Sequence, residues 1–266
     1  MTDSDLTDAF GGADQPARLY LDLLARSLTN TLYSAEPDAD ADDERRYVVD
    51  FLQHYIKGPA VSMLPVVRLE SLATCIHDVV TNGVPGDCIE TGVWRGGASI
   101  YMRAVLEVLG DQHRKVWVAD SFEGLPEPDA ERFPLEAEQF HGAVIQKGYD
   151  RFAVDADAVR RNFEAYGMLD DRVMFLEGWF SDTLANAPIE QLAIMRLDGD
   201  YYESTIDALN ALYGKLSPGG YVIVDDYGED TWTSCRQAVD DFRSTHGIDE
   251  QLVRVDTKCY FWQRGH

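Results

Sequence analysis

The sequence is poor in positive charge. Its 266 residues include 23 Lys and Arg against 47 Asp and Glu, which gives a formal net charge of −24 at pH 7. A chain this acidic repels the phosphates of nucleic acids over much of its surface, and it disfavours polyanionic substrates for the same reason. Neutral or cationic small molecules and metal cations are compatible with this charge. We therefore predict no nucleic-acid partner.

Long hydrophobic runs are also missing. No stretch approaches the roughly 20 apolar residues that span a bilayer, and the N-terminal residues Met1 to Asp8 lack the basic and apolar regions of a signal peptide. The four cysteines form no C-x-x-C pair. We therefore expect reduced core thiols in a cytoplasmic protein that does not contact a membrane.

The order of the segments predicts the fold class. The length suits one domain with additions. Strand-like and helix-like segments alternate, which predicts an α/β fold with a mostly parallel sheet and right-handed crossovers. Two final strand-like runs, 252–255 and 259–262, predict an antiparallel edge hairpin. We divide the chain into a mobile N-terminus (1–17), a helical cap (18–83) and the main domain (84–266).

Three further segments carry expectations about shape. Residues 18–33 have apolar positions at helical spacing, and this helix could pack either between the subunits of a homo-oligomer or on its own sheet. Residues 123–155 form a long loop with interleaved aromatic and acidic residues, which favours a lid over an amphipathic small molecule. A helix predicted over 204–216 ends at the turn Ser217-Pro-Gly-Gly220.

A glycine-spaced turn follows the first strand of the main domain, in the run Pro85-Gly-Asp-Cys-Ile-Glu-Thr-Gly-Val-Trp-Arg-Gly-Gly97. The turn lacks the first close glycine pair of the dinucleotide fingerprint G-x-G-x-x-G. Glu90, two residues before Gly92, would repel a phosphate and suits a cation such as the amino group of S-adenosylmethionine. Asp120 ends the next strand, where it can bind ribose hydroxyls. A nicotinamide-dependent oxidoreductase and a ligand-free α/β domain are the alternatives.

Carboxylates also follow two later strands. Asp198 ends one strand, and Asp225 and Asp226 end the next, with one helix between them. Because parallel strands bring their carboxyl ends to the same edge of the sheet, these side chains should converge. Their mutual repulsion makes sense if a divalent cation neutralises them, and an all-oxygen ligand set points to Mg²⁺. The alternative is two polar strand ends near a turn.

These motifs resemble the class I S-adenosylmethionine-dependent methyltransferases, which have a Rossmann-like, mostly parallel seven-stranded sheet. The chain is most similar to the macrocin O-methyltransferase (TylF-type) family, which methylates sugar hydroxyls on macrolide and aminocoumarin antibiotics. The resemblance runs from about residue 19 to the end. Its most specific motifs are Pro85 to Ala98, Val116-Trp-Val-Ala-Asp-Ser-Phe122, Gly178-Trp-Phe-Ser-Asp-Thr183, Arg196-Leu-Asp-Gly-Asp200 and Val224-Asp-Asp-Tyr227.

The resemblance implies an S-adenosylmethionine- and Mg²⁺-dependent O-methyltransferase acting on a small glycosylated molecule in antibiotic biosynthesis. The residues that it assigns to the cofactor are Met63, Glu90, Thr91, Gly92, Trp94, Asp120, Ser121, Gly178, Trp179, Phe180 and Ser181. Those that it assigns to the metal are Asp198, Asp225 and Asp226.

The general base is the open question of this assignment. In the catechol-type enzymes a lysine follows the first metal aspartate by three residues, and here Tyr201 replaces it. We therefore predict that Asp198 is the base, with His141 in the lid as a weaker candidate. The missing lysine counts against a catechol-like methyltransferase of aromatic hydroxyls. A non-catalytic cofactor-binding partner of other enzymes would not need the three metal-type aspartates.

Overall fold

The computed structural model describes residues 15–35, 37, 52–141, 152–228 and 233–265. Seven strands form one sheet: β1 Asp87–Thr91, β2 Val116–Asp120, β3 Val173–Glu177, β4 Leu192–Leu197, β5 Leu216–Val224, β6 Val253–Arg254 and β7 Tyr260–Gln263. Their order is β3-β2-β1-β4-β5-β7-β6. The first five pair in parallel, and β7 is antiparallel to both β5 and β6. The predicted sheet and its edge hairpin are confirmed.

Eight α-helices surround the described sheet: α1 Gln15–Leu28, α2 Val66–Thr81, α3 Gly97–Val108, α4 Pro134–His141, α5 Ala156–Ala165, α6 Phe180–Thr183, α7 Tyr202–Leu212 and α8 Ser234–His246. A π-helical turn covers Leu52–Ile56 and a 3-10 turn covers Tyr213–Lys215. In the described ranges, no helix has the length and apolar character needed to cross a bilayer.

The core consists of two layers, one on each face of the sheet. Successive residues of a strand point to opposite faces, so Cys88 packs into one layer and Ile89 into the other. The first layer includes residues of α1, α2, α3 and α5, and the second includes residues of α7 and α8. All four cysteines are buried and free, as expected.

Three local expectations were wrong. The first helix ends at Leu28 instead of residue 33, and Asn30 has a left-handed backbone with φ of 60°. The run Ser217-Pro-Gly-Gly220 is the start of β5 instead of a turn, at a point where the β4–β5 register is irregular. The segment 123–155 contains a helix, α4, and its residues 142–151 lie outside the described part of the chain.

Candidate active site

The carboxyl ends of β1, β2, β4 and β5 open into a cavity of about 790 Å³. This edge is where open α/β sheets bind ligands. Twelve of the residues predicted from the sequence line it: Met63, Glu90, Gly92, Trp94, Asp120, Ser121, Trp179, Phe180, Ser181, Asp198, Asp225 and Asp226. Two predicted cofactor residues do not. Thr91 is buried and its Oγ1 donates to the Arg196 carbonyl oxygen at 3.5 Å, while the N–H of Gly178 donates to the Asp120 carbonyl oxygen at 2.9 Å.

The turn after β1 brings backbone close to the cavity. Gly92 has φ of 86°, and a Cβ atom there would lie 1.8 Å from the carbonyl oxygen of Asp198. Trp94 has φ of 48°, which is costly for a residue with a side chain. Gly96 is left-handed as well, with φ of 87°, and α3 begins after it. Gly92 therefore lets this turn pack directly against the backbone of Asp198, while Trp94 lines the cavity.

Asp120 fixes this turn in addition to lining the cavity. Its Oδ2 accepts a hydrogen bond from the N–H of Val93 at 2.7 Å, and its Oδ1 accepts one from the N–H of Phe122 at 2.8 Å. Burial raises the pKa of Asp120 above its ordinary value, although these backbone N–H groups oppose the rise. The hydroxyl of Ser121 also donates to Oδ1 at 3.4 Å, and the N–H of Trp94 is a further hydrogen-bond donor to this carboxylate, so a ribose hydroxyl would share it with donors of the chain.

Glu90 lies at the cavity but is almost completely buried, with 2% of its surface exposed. Its Oε1 accepts a hydrogen bond from Nη1 of Arg196 at 2.6 Å, and its Oε2 accepts one from the hydroxyl of Ser99. Burial is the largest influence on its pKa and raises it to about 7, against the attraction of Arg196. A cationic ligand would therefore share this carboxylate with a buried arginine.

Arg196 joins Glu90 to the carboxylates at the other end of the cavity. Its Nη1 also donates to Oδ2 of Asp198 at 2.9 Å, and its Nη2 donates to Oδ1 of Asp225 at 2.7 Å. Its guanidinium is 2% exposed. We did not predict this contact from the sequence. The available signal was a charged residue inside an apolar strand, two positions before Asp198 and therefore on the same face.

A second arginine, Arg68, also binds the carboxylate of Asp225. Nη1 of Arg68, on α2, donates to Oδ2 of Asp225 at 2.6 Å, and its Nε donates to Oδ2 of Asp256 at 2.6 Å. Both oxygens of Asp225 therefore face a guanidinium. These two contacts fix the orientation of the Asp225 carboxylate, as hydrogen bonds behind a metal ligand commonly do.

Asp198, Asp225 and Asp226 form a cluster suited to a cation. One carboxylate oxygen from each lies within 4.8 Å of the others. Oδ2 of Asp226 is buried and, among the described residues, has no hydrogen-bond partner. Burial, together with the negative charges of Asp200, Asp198 and Asp225, raises the pKa of Asp226 well above its ordinary value. Burial likewise raises the pKa of Asp198 to about 6. The donor set fits Mg²⁺, which prefers carboxylate oxygens.

Beyond these aspartates, further acidic side chains line the same part of the cavity. Asp200, Glu203 and Asp207 line it, and none of them was predicted. Asp200 has φ of 60°, a strained backbone for a residue other than glycine and one that is common at functional sites. Tyr201, which stands in place of the catechol-type lysine, is 1% exposed and does not line the cavity.

Part of the predicted lid packs beside the cavity. The ring of Phe133 stacks on that of Tyr202 with centroids 5.6 Å apart. The guanidinium of Arg132 lies 4.1 Å from the centre of the Tyr202 ring. Oε1 of Glu136 accepts a hydrogen bond from the N–H of Ser234 at 3.3 Å. Closure of 123–155 over a ligand stays a prediction, and the side chain of His141 lies outside what the structure describes.

Known proteins with the same fold and sequence motifs are methyltransferases. A tetracenomycin-C 4′-O-methyltransferase of Streptomyces olivaceus is 47% identical over 254 residues, 92% of each chain. The mycinamicin III 3″-O-methyltransferase of Micromonospora griseorubida is 42% identical and covers 92% of this chain and 96% of its own. The solved O-methyltransferase NovP is 42% identical, with a TM-score of 0.81 over 94% of this chain and 100% of its own. Residues 56–264 match the macrocin-O-methyltransferase (TylF) family. The chain therefore belongs to this family and is an O-methyltransferase with the class I methyltransferase fold.

Proposed function

We propose that this enzyme transfers the methyl group of S-adenosylmethionine to a sugar hydroxyl of a glycosylated small molecule, with Mg²⁺ at the three aspartates. One observation carries the proposal. The glycine turn, Asp120 and the aspartate cluster all line a single cavity, so a cofactor and a metal-held acceptor can meet there. The cavity size is within the range of small-molecule sites.

The names of the relatives favour a sugar as the acceptor. The Streptomyces olivaceus relative is named as a 4′-O-methyltransferase of a rhamnosyl-tetracenomycin. Another relative, from Streptomyces niveus and 42% identical, is named as a demethyldecarbamoylnovobiocin O-methyltransferase. The buried position of Tyr201, where a catechol-type enzyme would have its lysine, counts against an aromatic hydroxyl as the acceptor.

S-adenosylmethionine fits the end of the cavity next to β1. It supplies an electrophilic methyl group and carries a positive charge, which suits a cavity rich in carboxylates. Gly92 and Gly97 line this end of the cavity, where a ligand can approach the backbone. Asp120 can accept the ribose hydroxyls, and Trp179, with 37% of its surface exposed, can pack on the adenine. Glu90, although partnered by Arg196, adds negative charge near the amino group.

Asp198 is the general base in this proposal. Mg²⁺ held by Asp198, Asp225 and Asp226 would lower the pKa of a sugar hydroxyl. Burial raises the pKa of Asp198 to about 6 in the metal-free protein, and a bound cation would lower it again. What supports its role as base is therefore its position next to the hydroxyl that the cation would hold. Its Oδ2 accepts a hydrogen bond from Arg196, and this contact orients the carboxylate.

Asp200 is a second candidate for the base. It lines the same cavity, and its negative charge contributes to the raised pKa of Asp226, so the two carboxylates lie close together. Asp198 has to serve as metal ligand and as partner of Arg196, and both tasks reduce its basicity.

The proposal is tested by incubating the protein with S-adenosylmethionine, Mg²⁺ and a rhamnosylated polyketide, and then fragmenting the product by mass spectrometry. We expect one added CH₂ group on the sugar fragment. A methyl group on the aglycone would favour the catechol-like alternative. Calorimetric titration that detects NAD but not S-adenosylmethionine would overturn the proposal.

A further inference from the structure

Arg95, inside the glycine turn, binds a distant stretch of backbone. Its Nη1 donates hydrogen bonds to the carbonyl oxygens of Tyr55, Gly58 and Ala60 at 3.3, 3.2 and 2.6 Å, and its Nη2 donates to that of Ile56 at 3.0 Å. None of the described carboxylates forms an ion pair with it. In a chain with twice as many acidic as basic residues, the hydrogen bonds of this guanidinium go to main-chain oxygens.

The segment that Arg95 binds, residues 55–64, is here named the connector. The π-helical turn Leu52–Ile56 leads into it, and carbonyl groups at the end of a helical turn lack intrahelical partners. A positive charge is favourable at such an end. The guanidinium supplies several donors from one rigid group, which a lysine ammonium does not.

The connector forms a wall of the cavity at the end next to β1. Tyr55 and the run Val61 to Leu64 line the cavity. The N–H of Gly97 donates to the carbonyl oxygen of Val61 at 3.1 Å, and a Cβ atom at Gly97 would lie 2.5 Å from the Cβ of Ser62. The guanidinium of Arg95 also lies 4.3 Å from the ring centre of Trp94, which lines the cavity. Arg95 therefore connects the glycine turn to the connector, which also packs against the start of α3 at Gly97.

We propose that Arg95 is a positioning residue for S-adenosylmethionine: it holds the connector closed over the cofactor end of the cavity. The inference rests on the function proposed above. A wall that is already in its bound position lowers the entropy lost on binding, so its release should weaken cofactor affinity. The chemistry occurs at the aspartates, which Arg95 does not contact, so the rate at saturating cofactor should change little.

The test compares Arg95→Ala and Arg95→Lys with a matched control, Arg114→Ala. Arg114 also donates to three backbone carbonyl oxygens, those of Gly86, Val84 and Val79, but none of these three residues lines the cavity. Three quantities are measured: the Kd for S-adenosylmethionine by calorimetry, the urea midpoint, and the rate of tryptic cleavage after Lys57. Lys57 is exposed and lies within the connector, so its cleavage reports release of this segment.

For Arg95→Ala we expect a Kd about tenfold or more above wild type, faster cleavage after Lys57, and a smaller loss of kcat than of kcat/KM. The Kd and the cleavage rate of Arg95→Lys should lie between those of Arg95→Ala and wild type, because the ammonium can reach only some of the carbonyl oxygens. Arg114→Ala should lower the urea midpoint while its Kd stays within about twofold of wild type.

Two results would overturn the inference. One is a folded Arg95→Ala protein with wild-type Kd and wild-type cleavage after Lys57. The other is an equal rise of Kd in Arg114→Ala, which would mean that general loosening of the fold explains the effect. If the wild-type protein itself does not bind S-adenosylmethionine, the proposed function fails, whatever the cleavage after Lys57 shows about the connector.

Discussion

The carbonyl oxygen of Asp198 lies 1.8 Å from the position that the Cβ of any side chain at Gly92 would occupy. The two strand ends are also joined by a hydrogen bond from the N–H of Asp198 to the carbonyl oxygen of Thr91 at 2.9 Å. The glycine turn and Asp198, a predicted metal ligand, are therefore in direct contact. A displacement of one has to displace the other.

Gly92→Ala should be far more damaging than Gly110→Ala. Both glycines are left-handed, with φ of 86° and 69°, so both substitutions carry the left-handed strain of roughly 1–2 kcal/mol. Gly110 has open space around it, whereas Gly92 meets backbone. We expect Gly92→Ala to lose at least about 2 kcal/mol more unfolding free energy. Urea unfolding checks this, and equal losses would show that the turn can move away from Asp198.

Asp120→Ala should weaken S-adenosylmethionine binding by more than about 1 kcal/mol, since hydrogen bonds to a charged group contribute about 1.5–3 kcal/mol. Asp111→Ala is the matched control. Asp111 also accepts hydrogen bonds from two backbone N–H groups, those of His113 and Arg114, but it lies away from the cavity. Calorimetry should detect weaker binding only in Asp120→Ala. Similar affinities in both variants would show that Asp120 does not bind the ribose.

The stability of the metal-free protein should fall as the pH rises from 5 to 7. Burial raises the pKa of Glu90 from an ordinary 4.5 to about 7. In this window the folded state holds a proton that the unfolded state has released, so folding becomes less favourable with rising pH. The shift corresponds to at most about 3 kcal/mol.

Glu90→Gln isolates this contribution. It removes the titrating group and leaves Arg196 its partners Asp198 and Asp225. Urea unfolding in chelator at pH 5 and pH 7 should show a smaller fall in the variant than in wild type. Identical falls would mean that Glu90 is ionised throughout and that other buried carboxylates, such as Asp198 and Asp226, cause the pH dependence.

The predictable part of the site is the part built from local patterns. Asp198, Asp225 and Asp226 each end a strand, and parallel pairing brings strand ends to one edge of the sheet. The glycine spacing around Gly92 is also a local pattern, and it predicts that two backbone segments pack closely there. The cluster of the three aspartates is therefore confirmed by the structure, while its occupation by Mg²⁺ stays a proposal.

The missed parts depend on contacts between distant segments. Arg68 reaches Asp225 across 157 positions of the chain, and Arg95 reaches Ala60 across 35. No periodicity or spacing encodes such a pair, because each arginine taken alone looks like an ordinary surface charge. The run at Ser217 was misassigned for a related reason: β5 pairs with β4 on either side of it, at Leu216 and at Tyr221, and Gly219 keeps the left-handed φ of 82° that suggests a turn.

The two candidate bases can be separated by their response to metal. Asp225→Asn should need far more Mg²⁺ than wild type for the same rate, because it loses a ligand charge. Asp198→Asn should lose about 10²-fold or more in kcat, and excess Mg²⁺ should not restore it, because that side chain would be both ligand and base. Steady-state rates over a Mg²⁺ titration provide the comparison. Rescue of Asp198→Asn by metal, together with an unrescued Asp200→Asn, would assign the base to Asp200.

The central claim is that a divalent cation at Asp198, Asp225 and Asp226 activates the sugar hydroxyl. An alcohol has a pKa near that of water, about 15.7, and an ordinary aspartate has a pKa of about 3.9, so the carboxylate alone cannot remove the proton at neutral pH. The most direct measurement is the methylation rate of the wild-type enzyme after complete chelation. We expect the rate to vanish and to return when Mg²⁺ is added. A chelated enzyme that keeps its full rate would contradict the account, and the three aspartates would then be structural.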